Sequence, residues 1–296
     1  MFEYTKDNHF KFGYEGKGWF MNRQSKQEKF TCTYGRASEI LDFREANLRA
    51  ARYINTIATD DISIMMSGGA DSEIAAWAML DAGVPFRAAI MRFIGGENTH
   101  DIEWAERFCN RHNIRKRYYD LDVRRFITTP QFEGIVKSYQ TTCERATTLW
   151  LASQIPDFAV LGQGEPVILK NLGTFWFQEK ERICSWNKYW ILNDKPGIPG
   201  FHQFTPEQIL SVFLDDMTVD MIQGTSHFWI NDRFKHDFYQ KHYPDFEKRN
   251  KYSGWEKLHK ENQEMQRIIL ATFPYFVDEW RIAYDDAVEM MMPRVD

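Results

Sequence analysis

The stretch Ser67-Gly68-Gly69-Ala70-Asp71-Ser72 offers the most chemistry in this chain of 296 residues. Two adjacent glycines let the backbone turn with φ > 0 and approach an oxyanion with no Cβ in the way. A helix starting near Asp71 would aim its free N–H groups and positive dipole end into the same space. The hydroxyls of Ser67 and Ser72 add donors, so the turn suits a triphosphate or pyrophosphate. A carboxylate beside phosphates, as at Asp71, implies Mg²⁺ shared between them. The spacing is neither G-x-x-x-x-G-K-[ST], whose lysine is missing, nor G-x-G-x-x-G.

Such a turn needs a strand before it and a helix after it. The short apolar run Asp61–Met66, stopped by Ser67-Gly68-Gly69, reads as a buried strand. A helix follows from about Asp71 to Ala82, closed by Gly83 and Pro85. Strands are then expected at Val84–Phe93, Arg115–Leu121 and Phe158–Leu161, and helices at Asp101–His112 and Thr142–Gln154. That alternation predicts an α/β fold, a parallel sheet with helices on both faces. A helix over Ala37–Ala58 feeds the first core strand, and residues 10–35 suggest a small hairpin or edge strands. Past residue 170, Glu179–Lys195 is mixed and aromatic and Pro196–Gly200 reads as a loop. Helices are expected over Pro206–Met221, Asp232–Tyr243 and along a stretch from Trp255 to about Met291 that is interrupted at Pro274. Three parts result: an N-terminal β extension (1–36), a nucleotide-binding α/β domain (37–170) and a mostly helical substrate or cap region (171–296).

Ser67–Ser72, in this context, resembles the S-G-G-x-D-S signature of the PP-loop ATP pyrophosphatases, over about residues 37–170. That superfamily includes GMP and NAD synthetases and tRNA-modifying enzymes, with asparagine synthetases or 7-cyano-7-deazaguanine synthases as the nearest branch. The resemblance implies a HUP-type fold and ATP, used with Mg²⁺, cleaved to AMP and pyrophosphate as an acceptor is adenylated. Carried over by position, Ser67, Gly68, Gly69, Asp71 and Ser72 would hold pyrophosphate, and Met91 and Arg92 would meet adenine through their backbone. Leu161-Gly162-Gln163-Gly164-Glu165 resembles the second glycine loop of the asparagine synthetase branch. There Gly162 and Gly164 would admit the ribose and α-phosphate, and Glu165, with Asp71, would be a metal ligand or base. Pro166 departs from that branch, which continues with acidic residues and glycines. A cation is needed opposite the developing pyrophosphate. Lys170 is the nearest in sequence to Glu165, ahead of Lys180, Arg182 and Lys188, which makes Asp71, Glu165 and Lys170 the catalytic candidates. Asn98, His100 and Asp101 face the same region, with Asp101 as the cap of the next helix.

A net charge of −5 and a pI near 5.9 argue against general electrostatic binding to nucleic acid or an anionic membrane. The four cysteines form no C-x-x-C pair, so the zinc site of the 7-cyano-7-deazaguanine synthases is missing; Cys143 reads as buried packing. Reduced thiols, no signal-peptide pattern and no apolar run of ~20 residues lead us to expect a soluble, cytoplasmic protein. Aromatics reach 16%, and Trp186, Tyr189 and Trp190 are either core or a pocket wall. With no cysteine at position 2, ammonia or an amine would come free or from a separate donor. The reaction expected is adenylation of a small-molecule carboxylate or carbonyl oxygen, then amidation. A nucleobase acceptor in tRNA or DNA, and a non-catalytic ATP-binding module, are the alternatives.

Overall fold

The run Ile62–Met65 forms a fully buried strand at the centre of a parallel sheet. The computed structural model describes residues 3–224, 232–250, 252–261 and 278–294. Its strands are β1 (Lys11–Tyr14), β2 (Phe30–Thr33), β3 (Ile62–Met65), β4 (Arg87–Phe93), β5 (Lys116–Leu121) and β6 (Phe158–Leu161). They continue with β7 (Val167–Asn171), β8 (Thr174–Lys180), β9 (Gly197–Ile198) and β10 (Glu279–Ala283).

The parallel sheet runs β5-β4-β3-β6-β9. Alternation along the strands divides the core in two, because successive side chains point to opposite faces. Ile62 and Ile64 with Ala88 and Ile90 bury one face against the helices Phe43–Ile57, Ala70–Asp81 and Thr99–Arg111. Met65, Ala89, Ala159 and Leu161 bury the other against Leu149 and Leu151 of the helix Cys143–Gln154 and Trp190 of the helix Ser185–Leu192. The fold is therefore α/β, with helices on both faces of the sheet and a C-terminal part rich in helix. The chain moves outward from β3 through β4 to β5, then returns to place β6 on the other side of β3. That reversal is the topological switch point, beside which ligands bind in such sheets.

Pro196–Gly200, read as a loop, contributes the fifth strand. Only Gly197 and Ile198 pair, beside Ala159 and Val160. Two residues between prolines are too few for a periodic signal, and prolines confine the pairing to a sheet edge. Gly197 has φ +135°, and a Cβ there would fall on the Ala159 backbone, so only glycine fits.

A second, antiparallel sheet has the order β10-β8-β7. Together with the β1–β2 hairpin it buries Phe12, Phe30, Ile168 and Phe177 against Phe213. The helical stretch expected from Trp255 to about Met291 is corrected here. Residues 262–277 lie outside the described ones, and the rest is the helix Trp255–Glu261, β10 and the helix Tyr284–Met291. Pairing with β8 outweighs the helical reading of Glu279–Ala283. Pro206–Met221 is likewise two helices, Pro206–Phe213 and Asp216–Gln223, because Asp215 caps the second by accepting from the Met217 N–H at 2.9 Å. All four cysteines are free and buried. No helix among the described residues is long and apolar enough to cross a membrane.

Candidate functional site

The phosphate-type turn leaves β3 at its carboxyl end. Gly68 takes φ +85°, and a Cβ there would fall on the backbone carbonyl of Asp101. Gly69 is the N-cap of the helix Ala70–Asp81 and offers no side-chain cap, so the first-turn N–H groups face the turn without a side-chain acceptor. The hydroxyls stiffen the turn: Ser67 Oγ accepts from the Gly69 N–H at 3.2 Å, and Ser72 Oγ donates to the Gly69 carbonyl at 3.0 Å. A Gly68→Ala substitution is expected to destabilise the protein by about 2–3 kcal/mol, read as a lowered urea midpoint. An unchanged midpoint would show that the turn can relax around the methyl group.

β3 and β6 pair in parallel with Met65 opposite Leu161, so Gly162 emerges beside the turn. A Cβ on Gly162 would sit 2.6 Å from Ser72 Cα, which makes glycine the residue that lets the two loops close up. A cavity of about 420 Å³ opens there, lined by Ser67, Ser72, Met91, Gly162, Arg145 and Trp186 among others. A narrower cleft beside it is lined by the whole Ser67–Ser72 turn with Asp101, Gln163, Lys235, His236, Arg249 and Asn250.

The carboxylates of Asp71 and Glu165 are brought together by a residue that the sequence reading passed over. Lys235, on the helix Asp232–His242, donates to Asp71 at 2.7 Å and to Glu165 at 2.9 Å. Tyr239, one helical turn further on, donates to the other Asp71 oxygen at 2.8 Å. Buried His202 lies 3.0 Å, Nε2 to oxygen, from the Asp71 carbonyl. Burial pushes the Asp71 carboxyl upward, but the charges of Lys235 and His202 and the Lys235 and Tyr239 hydrogen bonds hold it below its ordinary value. Burial opposes the charge on Lys235, and Asp71 and Glu165 more than reverse that, holding the ammonium above its ordinary value. Arg249 forms an ion pair with buried Glu73, and its Nε and Nη1 are buried with no acceptor among the described residues. Two cations thus border the cleft.

The other expected residues divide by position. Met91 lines the cavity, and its carbonyl accepts from Asn98 Nδ2 at 3.0 Å. The Arg92 side chain pairs with Asp120, at 2.7 and 3.0 Å, and stacks on Tyr118, while the expected contact of Arg92 is through its backbone. Gly164, with φ +98°, lies against Gln203. Lys170 is carried off on β7, its ammonium 5.1 Å from the Phe175 ring centroid, because β7 belongs to the antiparallel sheet. Lys188 is buried and donates to Gln140 at 3.0 Å, and Lys180 lies 4.0 Å from Glu279. His100 lies 3.3 Å from the Asn250 carbonyl. Asp101 is not the helix cap: Asn98 holds that position, and Asp101 Oδ1 accepts from the Tyr252 N–H at 3.3 Å. Trp186 both packs in the core and lines the cavity; Tyr189 and Trp190 are core.

The turn fits a phosphate chain by the first-turn N–H groups of the helix Ala70–Asp81, which no side chain caps, while Gly68 lets the turn pack against the Asp101 backbone. For a metal the donor set is thinner. Among the described residues, no group of three or more His, Cys, Asp or Glu could hold one. Mg²⁺ shared with phosphates needs only one or two carboxylates. An ion held by Asp71 and Glu165 would have to arrive with the nucleotide and displace Lys235 from at least one of them.

No family model matches the sequence, and no curated protein matches it. Among solved structures, NMN synthetase from Francisella tularensis is 12% identical with a TM-score of 0.34, over 76% of this chain and 96% of that one. NH3-dependent NAD synthetase from Campylobacter jejuni, in complex with the nitrate ion, is 13% identical with a TM-score of 0.36, over 86% and 100%. At such scores these likenesses carry no argument, and the reading of this chain rests on its own residues.

Proposed function

We propose that this chain is an ATP-dependent adenylating ligase. The β- and γ-phosphates lie on Ser67–Ser72, and the adenosine lies in the adjoining cavity. An acceptor oxygen attacks the α-phosphorus, the bond from that phosphorus to the bridging oxygen breaks, and pyrophosphate leaves into the cleft. Ammonia or an amine then bonds to the activated carbon as AMP departs, one proton passing to solvent. Mg²⁺ arriving with the nucleotide, near Asp71 and Glu165, would offset phosphate charge. Lys235 and Arg249 supply the positive charge that the leaving pyrophosphate needs.

The observation that carries this reading is the continuity of the cradle with the cavity at the switch point between β3 and β6: both are lined by Ser67, Ser72, Asp101 and Gln163. Thermal unfolding with Mg²⁺ and α,β-methylene ATP tests it. Ligand at about 100 times its Kd adds about 2.7 kcal/mol, a rise of about 5 °C or more for a chain this size. The rise is expected in the wild type and should disappear in Asp71→Asn, each compared with its own ligand-free midpoint. No rise in the wild type would remove the nucleotide from the proposal.

A further inference from the structure

The cavity and the cleft have separate cations. Lys235 and Arg249 line the cleft beside the turn, whereas Arg145 lines the larger cavity. Arg145 stands in the first turn of the helix Cys143–Gln154. It donates to the Thr142 hydroxyl at 3.3 Å, and its guanidinium carbon lies 5.1 Å from the Trp186 ring centroid. No carboxylate holds it among the described residues, and its Nε is buried without an acceptor. Arg182 also has a buried Nε without an acceptor among the described residues. Burial, and after it the charge of Arg182, pull the Arg145 guanidinium down to about 10 against the weaker upward pull of the Glu144 and Glu165 charges, so it still carries its charge at neutral pH. Glu144 lines the same cavity without forming an ion pair with it.

A buried guanidinium is costly unless an anion accompanies it. Two enclosed arginines among the described residues follow that rule: Arg23 is held by Glu181 and Asp278, both at 2.8 Å, and Arg249 by Glu73, whereas Arg182, beside Arg145, has no carboxylate within ion-pair distance. Arg145 departs from it while facing a cavity. The phosphates of a nucleotide on the turn already meet Lys235 and Arg249, which leaves Arg145 for a different anion. A guanidinium fork matches the planar or tetrahedral oxygens of a carboxylate or phosphate.

We propose that Arg145, resting on Trp186 with Arg182 behind it, binds a carboxylate or phosphate group of the acceptor, making the acceptor an anionic small molecule. The inference rests on the adenylation reading for calling that second ligand the acceptor. Acetate and inorganic phosphate are the probes, each titrated at constant ionic strength against chloride. Thermal unfolding of the full chain is followed with and without saturating Mg²⁺ and α,β-methylene ATP.

With the nucleotide site filled, one of the anions is expected to raise the wild-type midpoint by about 2–3 °C at ten times its Kd. A response to acetate alone assigns a carboxylate, and one to phosphate alone a phosphate. Arg145→Gln should abolish the response and Arg145→Lys should retain part of it. Without ligands, Arg145→Gln should unfold at the wild-type temperature or above, because an unpaired enclosed charge has been removed. A lower midpoint would mark a structural arginine and overturn the proposal. So would the absence of any anion response in the wild type. Loss of analogue binding in Arg145→Gln would put the guanidinium on the nucleotide and equally overturn it. Should the analogue not bind the wild type, the adenylation reading falls separately, and the response to acetate or phosphate alone still decides the anion site.

Discussion

A Lys235→Met variant is expected to lose about 3–5 kcal/mol of stability at pH 7 and to bind α,β-methylene ATP about 10- to 100-fold more weakly. The first effect follows from what is left behind: Asp71, buried, and Glu165 lose the ammonium that joins them. The second follows from losing one of the two cations that border the cleft. The sign with pH is fixed by the two partners. Asp71 is held below its ordinary 3.8, so its contribution is present above about pH 4 and fades as pH falls through the folded value. Lys235 is held above its ordinary 10.5, so its contribution is present below that pH and fades as pH rises through the folded value. The deficit of the variant should therefore be full between about pH 4 and 10 and shrink below that, as pH falls through the folded value of Asp71. Urea titrations at about pH 3 and pH 7.5 measure it. Equal stability of the two proteins at pH 7.5 would sink the ion-pair argument, and an unchanged Kd would remove Lys235 from the nucleotide.

The second large effect lies away from the turn and has the opposite sign. Glu179 on β8 is buried and accepts from the Tyr34 hydroxyl at 2.6 Å. Burial lifts its carboxyl from 4.5 to about 7; the Tyr34 hydrogen bond pulls down and the Glu165 charge pushes up, both less strongly. A group whose folded value is raised stabilises fully below its unfolded value, and that contribution disappears as pH rises through the folded one. Between 4.5 and about 7 the difference is on the order of 3 kcal/mol. Wild-type stability should thus fall from pH 5 to pH 8. Glu179→Gln should gain roughly 3 kcal/mol at pH 8 and almost nothing at pH 4.5, since glutamine imitates the protonated acid. Parallel stability–pH curves for the two proteins would contradict this assignment.

What could be read in the sequence was local. The Ala70–Asp81 helix, the turn before it and the strands β3 to β6 are contiguous patterns, each with its own apolar run and glycine or proline stop. Their boundaries lie within about three residues of those expected. Lys235 is hidden in the sequence because its helix shows only amphipathic spacing; that Lys235 and Tyr239 share a face says nothing of Asp71, 164 and 168 positions away, which both meet. Arg249 carries no motif at all. Lys170 is near Glu165 in sequence but not in space, because the turn after Glu165 sends the chain into a different sheet. β10 was lost for a related reason, since its pairing partner β8 stands about 100 residues earlier.

The two-residue strand β9 has a consequence for how the protein is made. Until Gly197 and Ile198 leave the ribosome, β6 presents an apolar edge with open hydrogen-bonding groups, which is a template for another chain. Until Lys235 follows, Asp71 has no cation at hand. In a nascent chain the phosphate turn therefore has neither the cover of β9 nor the charge of Lys235 until those residues are made. Synthesis paused between residues 162 and 197 leaves the sheet open on that side, and this is the interval in which a chaperone has most to protect.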